Sequence, residues 1–449
     1  MRPVTRVAAA FLLVCLTTST DPVAEPDAPP AAPAVPPGGA PVAVPSAPPG
    51  AAPVAGPQAP PVAPPAAPPD TVPVRDLPPP EPVAPGVDYR ELTVPGSQGS
   101  AHIHLLTVDL HRPEVRVGLL YPGAVTARAT VSSMAEEQGA VAAINGDFFD
   151  MTEEQHPGIE ATGSTSGPVV LDGRPLKGAV PDGQRFGWTP PSDDSTEDVI
   201  GVGPDGTART ARLTLRGRVR TPKGELPLGG LNQYALPVDS IGVFTPQWGA
   251  TSRARAVCGT DDDRSAPCTG DTYEVTVRHG QVVSVSDAPG RGDIPADTVV
   301  LLGREAGAQA LRDLAPGTPA EVDYSFASST KAPFAFALGS RLLVRDRVAL
   351  PDLDTAVAEP RTAVGIASGG HVLHLLSMDG REGTSSGLTV SELADVLRSL
   401  GCTEAASLDG GGSATLATRD RTSGHVTVRN NLSRGEERSV PNGIAVFPR

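Results

Sequence analysis

The segment Ala405-Ala-Ser-Leu-Asp-Gly-Gly-Gly-Ser-Ala-Thr-Leu416 combines an apolar run, three consecutive glycines and a return to apolar residues. An apolar run of this length is typical of a buried strand, and glycine allows the chain to turn sharply after it. Backbone N–H groups in such a turn can converge on an anion, beside the carboxylate of Asp409 and the hydroxyl of Ser413. The segment therefore predicts either an anion-binding turn at Gly410, Gly411 and Gly412 or a plain flexible hairpin.

Two segments upstream also place polar residues beside apolar strands. The run from Ala140 to Phe149 delivers Asn145 and Asp147 at its end, where polar side chains can face a cleft. Its alternative is a strand followed by an ordinary Asn-Gly turn. Arg361 stands immediately before another apolar strand, and its planar guanidinium suits a phosphate or a carboxylate. Taken alone, Arg361 is explained better by a surface ion pair.

A further carboxylate, Asp379, lies at the edge of the strand predicted over His371 to Leu376. The chain then leads into the clearest helical signal, Val390 to Leu400. Thr389 and Glu392 form a T-x-x-E capping box before this segment, its leucines and valines share one apolar face, and a glycine follows it.

Short apolar runs separated by Gly, Pro and Asp turns dominate the chain from Tyr89 onward, as is typical of β-strands. Such strands are predicted at His102 to Val108, Val115 to Leu120, Arg209 to Val219, Thr272 to Val277, Val282 to Val285 and Thr298 to Leu302. Helices are fewer, with two more predicted over Val131 to Gln138 and Glu305 to Leu314. The pattern predicts an α+β fold, with a mixed or antiparallel sheet and a few packed helices.

The N-terminal part of the chain has a different composition. Met1 to Ala24 reads as a signal peptide, with two arginines before a short apolar run, and a lipid anchor on Cys15 is disfavoured because Val14 precedes it. Of the 50 prolines, 25 lie between Asp21 and Gly86, and a Pro/Ala-rich stretch cannot build a packed core. We therefore predict a disordered linker at residues 25–88, a folded domain at 89–449 and secretion, with association with a cell wall as an option.

Charge and cysteine content restrict the partners and the compartment. The 449 residues carry 51 acidic and 36 basic side chains, a net charge of −15, which argues against nucleic acid as a partner. The apolar run of the signal is too short to span a bilayer, so we expect no integral membrane span. In an oxidising compartment, Cys258 and Cys268 are expected to form a disulfide and Cys402 to stay unpaired and buried, because no histidine or CxxC spacing supports a metal site.

Taken in order, these segments resemble the phosphodiester glycosidase family, which is related to the N-acetylglucosamine-1-phosphodiester α-N-acetylglucosaminidases. The residues that carry the resemblance are Asn-Gly-Asp-Phe-Phe at 145–149, Pro-Arg-Thr-Ala-Val-Gly-Ile at 360–366, Asp-Gly-Arg at 379–381, Leu-Asp-Gly-Gly-Gly-Ser at 408–413 and Glu-Arg-Ser-Val-Pro-Asn at 437–442. Asp147 and Ser439 depart from the family pattern. Residues 184–271 match poorly, and we interpret them as an insertion.

The resemblance implies hydrolysis of a sugar-1-phosphodiester at its glycosidic bond. Asp409 and Asp379 are the candidate catalytic carboxylates. The candidate substrate-binding residues are Asn145, Asp147, Arg361, Gly410, Gly411, Gly412, Ser413, Arg438 and Asn442. The expected substrate is a sugar phosphate or a cell-envelope glycopolymer, without a cofactor or a metal. Two alternatives stay open: a non-catalytic module that binds a wall glycopolymer, and a phosphodiesterase that cleaves the P–O bond, although clustered His and Asp ligands for two metals are missing from the sequence.

Overall fold

A computed structural model describes residues 77–380 and 385–449 of the chain. The predicted signal peptide, most of the predicted linker and Arg381 lie outside these residues. The described residues contain 25 strands and three α-helices.

The strands, in chain order, are β1 Glu81–Ala84, β2 Val87–Gly96, β3 Gly99–Asp109, β4 Val115–Leu120, β5 Ala142–Asn145, β6 Val169–Leu171, β7 Arg174–Lys177, β8 Asp198–Val202, β9 Ala208–Thr221, β10 Gly224–Pro227, β11 Gly230–Leu231, β12 Ile241–Phe244, β13 Thr272–Arg278, β14 Gln281–Ser286, β15 Thr298–Arg304, β16 Glu321–Ser328, β17 Phe336–Gly339, β18 Arg341–Arg345, β19 Val348–Ala349, β20 Thr362–Ala367, β21 Val372–Met378, β22 Glu404–Leu408, β23 Leu416–Arg419, β24 Val426–Val428 and β25 Gly443–Pro448. The helices are α1 Val131–Glu137, α2 Ala306–Leu311 and α3 Val390–Ser399.

These strands form four sheets. The largest has eight strands in the order β1-β2-β3-β21-β20-β22-β18-β19, and a five-stranded sheet has the order β24-β23-β5-β25-β4. A seven-stranded sheet, β10-β9-β8-β17-β6-β7 with β16 beside β9, and a second five-stranded sheet, β11-β12-β15-β13-β14, complete the fold. Neighbouring strands are antiparallel, except that β11 and β12 run parallel.

Alternation along the central strands divides the core between layers. On β5, Ile144 joins the main core with strand residues of the eight-stranded sheet, whereas Ala143 faces the opposite side, where α1 packs. On β3, Leu106 likewise enters the main core and Leu105 faces α3. Because successive side chains of a strand point to opposite faces, the eight-stranded sheet faces the main core on one side and α3 on the other. The five-stranded sheet that contains β5 faces the main core on one side and α1 on the other.

The predicted capping box of α3 is present. The Thr389 side chain accepts a hydrogen bond from the backbone N–H of Glu392, and the Glu392 carboxylate accepts one from the N–H of Thr389. Leu393, Ala394 and Leu397 bury the apolar face of the helix against the eight-stranded sheet. Local sequence therefore determined both the start and the orientation of this helix.

The predicted strands lie within β3, β4, β9, β13, β14 and β15, with the same bounds at β4. The fold is mostly β with a few helices, as predicted, and the helices are short; α2 covers only Ala306–Leu311 of the ten predicted residues. Here the predicted N-terminal residue, Glu305, has a positive φ of 48° and lies outside the helix. The folded part also begins before the predicted boundary at Tyr89, since β1 pairs with β2.

Residues 184–271, interpreted from the sequence as an insertion, do not form a separate sheet. β12, inside this range, pairs along its whole length with β15, outside it. β8, also inside, pairs with β17. These strands therefore complete two sheets together with the rest of the chain.

The cysteines are arranged as the sequence predicts. Cys258 and Cys268 form a disulfide, and Cys402 is a buried free thiol whose pKa is raised to about 12 by burial. A disulfide is the arrangement expected of an oxidising compartment. Among the described residues, no helix is both long and apolar enough to cross a membrane.

Candidate active site

The glycine turn at residues 410–412 connects two different sheets, so the hairpin interpretation is wrong. β22 lies inside the eight-stranded sheet, and β23, which follows the turn, lies inside the five-stranded sheet beside β5. A Cβ on Gly410 would lie 2.6 Å from the Pro360 carbonyl oxygen, and Gly411 has a positive φ of 57°. Both positions therefore require glycine, one for close packing and one for its backbone conformation.

The backbone N–H groups of the turn are not equally available to a ligand. The N–H of Gly411 donates to the Pro360 carbonyl at 2.7 Å, and that of Ser413 donates to Gly410 at 3.0 Å. The N–H groups of Gly410 and Gly412 make no hydrogen bond within the described part of the chain. The prediction that the Gly411 N–H binds phosphate is therefore wrong for this conformation, and Gly410 and Gly412 hold the available donors.

Asp409, Ser413 and Arg438 form a contiguous polar group beside this turn. Ser413 is fully buried, and its hydroxyl accepts a hydrogen bond from Arg438 Nη1 at 3.1 Å. The same hydroxyl favours the ionised form of the neighbouring Asp409 carboxylate and so lowers its pKa. The Arg438 guanidinium lies directly against Gly412, where a Cβ would be 2.3 Å from Nη2. Three predicted site residues are thus brought together around one small loop.

Asp409 is half-buried, and its carboxylate is largely withdrawn from water. Burial raises the pKa of Asp409 to about 6, and the negative charge of Asp147 adds to this. The Ser413 hydrogen bond and the charges of Arg438 and Arg341 act in the opposite direction. A carboxylate with a pKa near 6 can exchange a proton close to neutral pH, which is typical of an acid or base in catalysis.

Arg438 is held in place through its neighbour Glu437. The Glu437 carboxylate accepts hydrogen bonds from the Ser132 backbone N–H, at 3.1 Å, and from the Ser132 hydroxyl. Ser132 lies in the first turn of α1, where unpaired N–H groups favour a negative charge. Glu437 therefore fixes the backbone to α1, and the adjacent Arg438 directs its side chain at the glycine turn.

Asn145 joins the ends of several strands. It is fully buried; its Nδ2 donates to the Asp409 carbonyl at 2.6 Å, and its Oδ1 accepts from the Thr362 hydroxyl at 2.8 Å and the Thr415 N–H at 3.1 Å. Thr362 begins β20 and Asn145 ends β5, so the amide fixes the backbone of Asp409 against both sheets. Because these contacts lie within the protein, Asn145 has no exposed surface for a sugar, contrary to the predicted contact.

Asp147 lies in a notch lined by two glycines. Its Oδ2 accepts the N–H of Gly167 at 2.7 Å, and a Cβ on Gly339 would lie 2.4 Å from the same oxygen. The Asp147 N–H donates to Asn442 Oδ1 at 3.1 Å, and Asn442 packs so closely on Gly146 that a Cβ there would be 2.1 Å away. Asn442 therefore positions the backbone of Asp147, and both predicted residues lie in the site.

Two buried basic residues that the sequence analysis did not select face Asp147. Burial raises the pKa of Asp147 to about 6, whereas the Gly167 N–H and the charges of Lys177 and Arg341 favour its ionised form. Lys177 is fully buried at the end of β7. The only signal available for Lys177 was its rarity, since the chain has three lysines, at positions 177, 223 and 331.

Arg341, at the start of β18, lies between two aromatic rings. Its guanidinium carbon is 4.3 Å from the centre of the Phe148 ring and 4.9 Å from that of Trp188, and it donates to the carbonyls of Phe186 and Trp188. Burial lowers the pKa of Arg341 to about 10, and repulsion from the charge of Arg185 is the second cause. A guanidinium at this pKa stays charged at neutral pH, so Arg341 supplies a positive charge beside both carboxylates.

Arg361 is directed elsewhere. Its Nε donates to the Leu388 carbonyl at 3.2 Å, its Nη2 donates to the Val357 carbonyl at 2.8 Å, and its Nη1 lies 3.7 Å from Glu359. The predicted phosphate contact of this side chain is therefore not supported, because these donors hold the loop before β20. The backbone at Pro360 and Arg361 packs against the glycine turn, at Gly410 and through the Gly411 N–H.

Asp379, the second predicted catalytic carboxylate, belongs to another buried cluster. Its Oδ1 accepts from His104 Nε2 at 2.8 Å and from the Asn431 N–H at 2.7 Å, and its Oδ2 accepts from Asn431 Nδ2 at 3.0 Å. His104 Nδ1 in turn lies 2.6 Å from the Tyr89 hydroxyl. Asp379 thus holds the loop at Asn431, and this loop contacts the glycine turn through a hydrogen bond from the Ser433 hydroxyl to the Gly411 carbonyl, at 3.1 Å.

Replacing Asp379 with asparagine is expected to lower the free energy of unfolding by about 2 kcal/mol. The amide N–H₂ would face a donor whose hydrogen bond the carboxylate now accepts, so that hydrogen bond would be lost. Urea denaturation measures the change. Asp297→Asn is the matched control, since Asp297 pairs with His279 at 3.0 Å on the surface, and it should change stability by less than about 0.5 kcal/mol. Equal stability of the two variants would contradict a structural role for Asp379.

Potential metal ligands within the described residues offer one group, His156 with Cys258 and Cys268. The two sulfurs are joined in the disulfide, and His156 Nδ1 contacts Glu153 at 2.6 Å. These ligand atoms are therefore already engaged, and this group lies outside the cluster around Asp409.

Comparison with known proteins assigns a family to the C-terminal part of the chain. Residues 271–447 match the family model for phosphodiester glycosidases, which confirms the resemblance found in the sequence. The match contains Asp409, the glycine turn, Arg438 and Asn442. Asn145, Asp147 and Lys177 lie before the matched residues.

Individual relatives cover the chain in part. The uncharacterised SPbeta prophage-derived protein YomE of Bacillus subtilis is 33% identical over 130 residues, which are 28% of this chain and 19% of that protein. A hypothetical protein from Synechocystis has a similar structure, with a TM-score of 0.62 and 21% identity over 83% of this chain and 64% of its own. The structure of a putative exported protein from Burkholderia pseudomallei has a TM-score of 0.60 and 21% identity, over 78% of this chain and 74% of its own. The chain thus spans less than two thirds of the length of the first two relatives. At 21% identity, the two similar structures show a shared fold.

Proposed function

We propose that the protein is a glycosidase that hydrolyses the glycosidic bond of a sugar-1-phosphodiester and releases free sugar and a phosphomonoester. The observation that carries this proposal is the group formed by Asp409, Ser413 and Arg438 beside the available N–H groups of Gly410 and Gly412. A carboxylate suited to act at a sugar carbon therefore adjoins donors suited to an anionic leaving group. The match of residues 271–447 to phosphodiester glycosidases supports the same reaction class.

A phosphate leaving group determines what the site must do. Cleavage breaks the bond between the anomeric carbon and the phosphate oxygen, and that oxygen keeps the bonding electron pair. A phosphate is a weak base, so donors that stabilise its negative charge matter more than a proton. Arg438 and the N–H groups of Gly410 and Gly412 are the donors for this charge. Water supplies the new hydroxyl on the sugar carbon, and one proton from that water passes to a carboxylate and then to solvent.

Two carboxylates suit the reaction, because one attacks the anomeric carbon or activates water while a negative charge nearby stabilises the cationic transition state. Asp409 and Asp147 take these parts in our proposal, since the charge of Asp147 acts directly on Asp409. Asp147 therefore replaces Asp379, whose two carboxylate oxygens are occupied by His104 and Asn431. Asn145 and Asn442 serve to position these aspartates.

The rate is expected to rise with pH through a midpoint near pH 6. Burial raises the pKa of Asp409 and of Asp147 to about 6, and the ionised forms, which predominate above that pH, are the active ones. Initial rates from pH 4 to pH 9 measure the profile, and circular dichroism over the same range serves as the control for unfolding. An acid limb centred near pH 4 would contradict the raised pKa values.

The reaction is tested by the identity of the product. The full-length protein is incubated with UDP-N-acetylglucosamine and with a panel of p-nitrophenyl sugar phosphodiesters, and free sugar is measured against sugar-1-phosphate. Free sugar supports the proposal. Sugar-1-phosphate would instead establish cleavage of the P–O bond, and binding without either product would establish a glycopolymer-binding module.

Secretion and a cell-envelope substrate belong to this proposal. The Cys258–Cys268 disulfide is consistent with an oxidising compartment. A signal at Met1 to Ala24 followed by a Pro/Ala-rich linker suits a domain held away from a membrane or within a wall. Cell fractionation with an antibody to the domain tests the location.

A further inference from the structure

Lys177 is the most deeply buried of the charged side chains near the site and has no direct access to a ligand. Its exposed fraction is 0%, and its Nζ donates to the carbonyls of Ser166 at 3.2 Å, Gly167 at 3.0 Å and Gly178 at 2.5 Å. An ammonium group has three N–H donors, so these three carbonyls use all of them. Lys177 is therefore placed to act on other protein groups and not on substrate.

The residue Gly167 links Lys177 to Asp147. Its N–H donates to Asp147 Oδ2 at 2.7 Å, while its carbonyl accepts from Lys177 Nζ at 3.0 Å. A Cβ on Gly167 would lie 2.4 Å from the Cα of Gly339, so the two backbone segments that form the notch pack too closely to leave room for a side chain. The ammonium group thus fixes the same residue that holds the carboxylate.

We propose that Lys177 is a positioning residue that holds Asp147 in the notch formed by Gly167 and Gly339 and keeps its carboxylate ionised for the reaction at Asp409. This inference rests on the proposed function, in which Asp147 supplies the second negative charge. Lys177 is buried, its Nζ contacts backbone carbonyls, and Asp147 is the carboxylate whose charge acts on it among the described residues.

The charged groups around this pair come from four elements. Asp147 interacts with the charges of Lys177, which lies on β7, of Arg341, which lies on β18, and of Asp409, which follows β22. It also acts on the titratable hydroxyl of Tyr234, which follows β11. Burial lowers the pKa of Lys177 to about 7, and the charge of Asp147 opposes this fall. Loss of either partner therefore makes the charged form of the other less favourable.

The small number of lysines permits a direct test by NMR. With ¹³C-labelled lysine the protein gives three side-chain signals, and Lys223→Met and Lys331→Met assign the two exposed ones. The remaining signal, from Lys177, should titrate near pH 7 in the wild type and at least about one pH unit lower in Asp147→Asn. The same midpoint in both proteins would overturn the proposal, and this measurement needs no substrate.

A kinetic test examines the consequence for turnover. In Lys177→Met, which removes the charge, the acid limb of the pH–rate profile should move up by about one unit, so that activity falls about fivefold at pH 6 and recovers towards the wild-type value above pH 8. Lys223→Met is the matched control and should leave the profile unchanged. A folded Lys177→Met protein with an unshifted limb would overturn the proposal, and if the variant does not fold, the NMR comparison decides.

The two tests separate this inference from the proposed reaction. A wild-type protein that releases no free sugar would contradict the glycosidase function, and the NMR titration would still show whether Lys177 and Asp147 are paired. Free sugar from the wild type, with Lys177 titrating independently of Asp147, would retain the reaction and reject the role of Lys177.

Discussion

Asp409→Asn is expected to lower turnover about 10³-fold while binding of an uncleavable phosphodiester analogue is retained. The amide cannot attack the anomeric carbon or accept a proton from water, but the Gly410 and Gly412 N–H groups and Arg438 still face the anion. Initial rates with the preferred substrate measure the loss, and calorimetry with the analogue measures binding.

Stability distinguishes this effect from misfolding. Burial disfavours the ionised form of Asp409 in the folded protein, so an uncharged amide should not lower the melting temperature at pH 7. Asp346→Asn is the matched control, because Asp346 is exposed and its positive φ of 51° suits asparagine equally well. Normal turnover by Asp409→Asn would remove Asp409 from the mechanism.

Asp147→Asn is expected to lower turnover about 10²-fold, the second largest effect. The substitution removes the negative charge that acts on Asp409 and on Lys177, and leaves Asp194 and Asp409 as the carboxylates whose charges act on Arg341. Because Asp147 also raises the pKa of Asp409, the residual activity should have its acid limb at lower pH than the wild type. Rates from pH 4 to pH 9 measure both changes.

Asp379→Asn is the control for this second prediction. If Asp379 acts only through the loop at Asn431, its variant should retain turnover within about tenfold of the wild type under conditions where it is folded. The reverse result, with Asp147→Asn active and Asp379→Asn inactive, would return the second catalytic role to Asp379.

The sequence predicted the glycine turn, Asp409 and Ser413 because these residues are neighbours in one segment, and local spacing is visible without a fold. The same is true of the capping box of α3 and of β4. Arg361 and Asp379 stand in comparable segments, yet they are directed elsewhere. A sequence motif places a residue at the end of a strand, but the direction of its side chain depends on which neighbours pack beside it.

What the sequence by itself determined is the series of strands and short turns, the disulfide between Cys258 and Cys268, and the family of residues 271–447. The tertiary structure alone decided that Asp147 rather than Asp379 lies beside Asp409, and that Lys177 and Arg341 surround it. These residues come from β7, β18 and the ends of β5 and β22, which belong to three different sheets. Their charges interact because packing removes them from water, and neither their proximity nor their burial is encoded in local spacing.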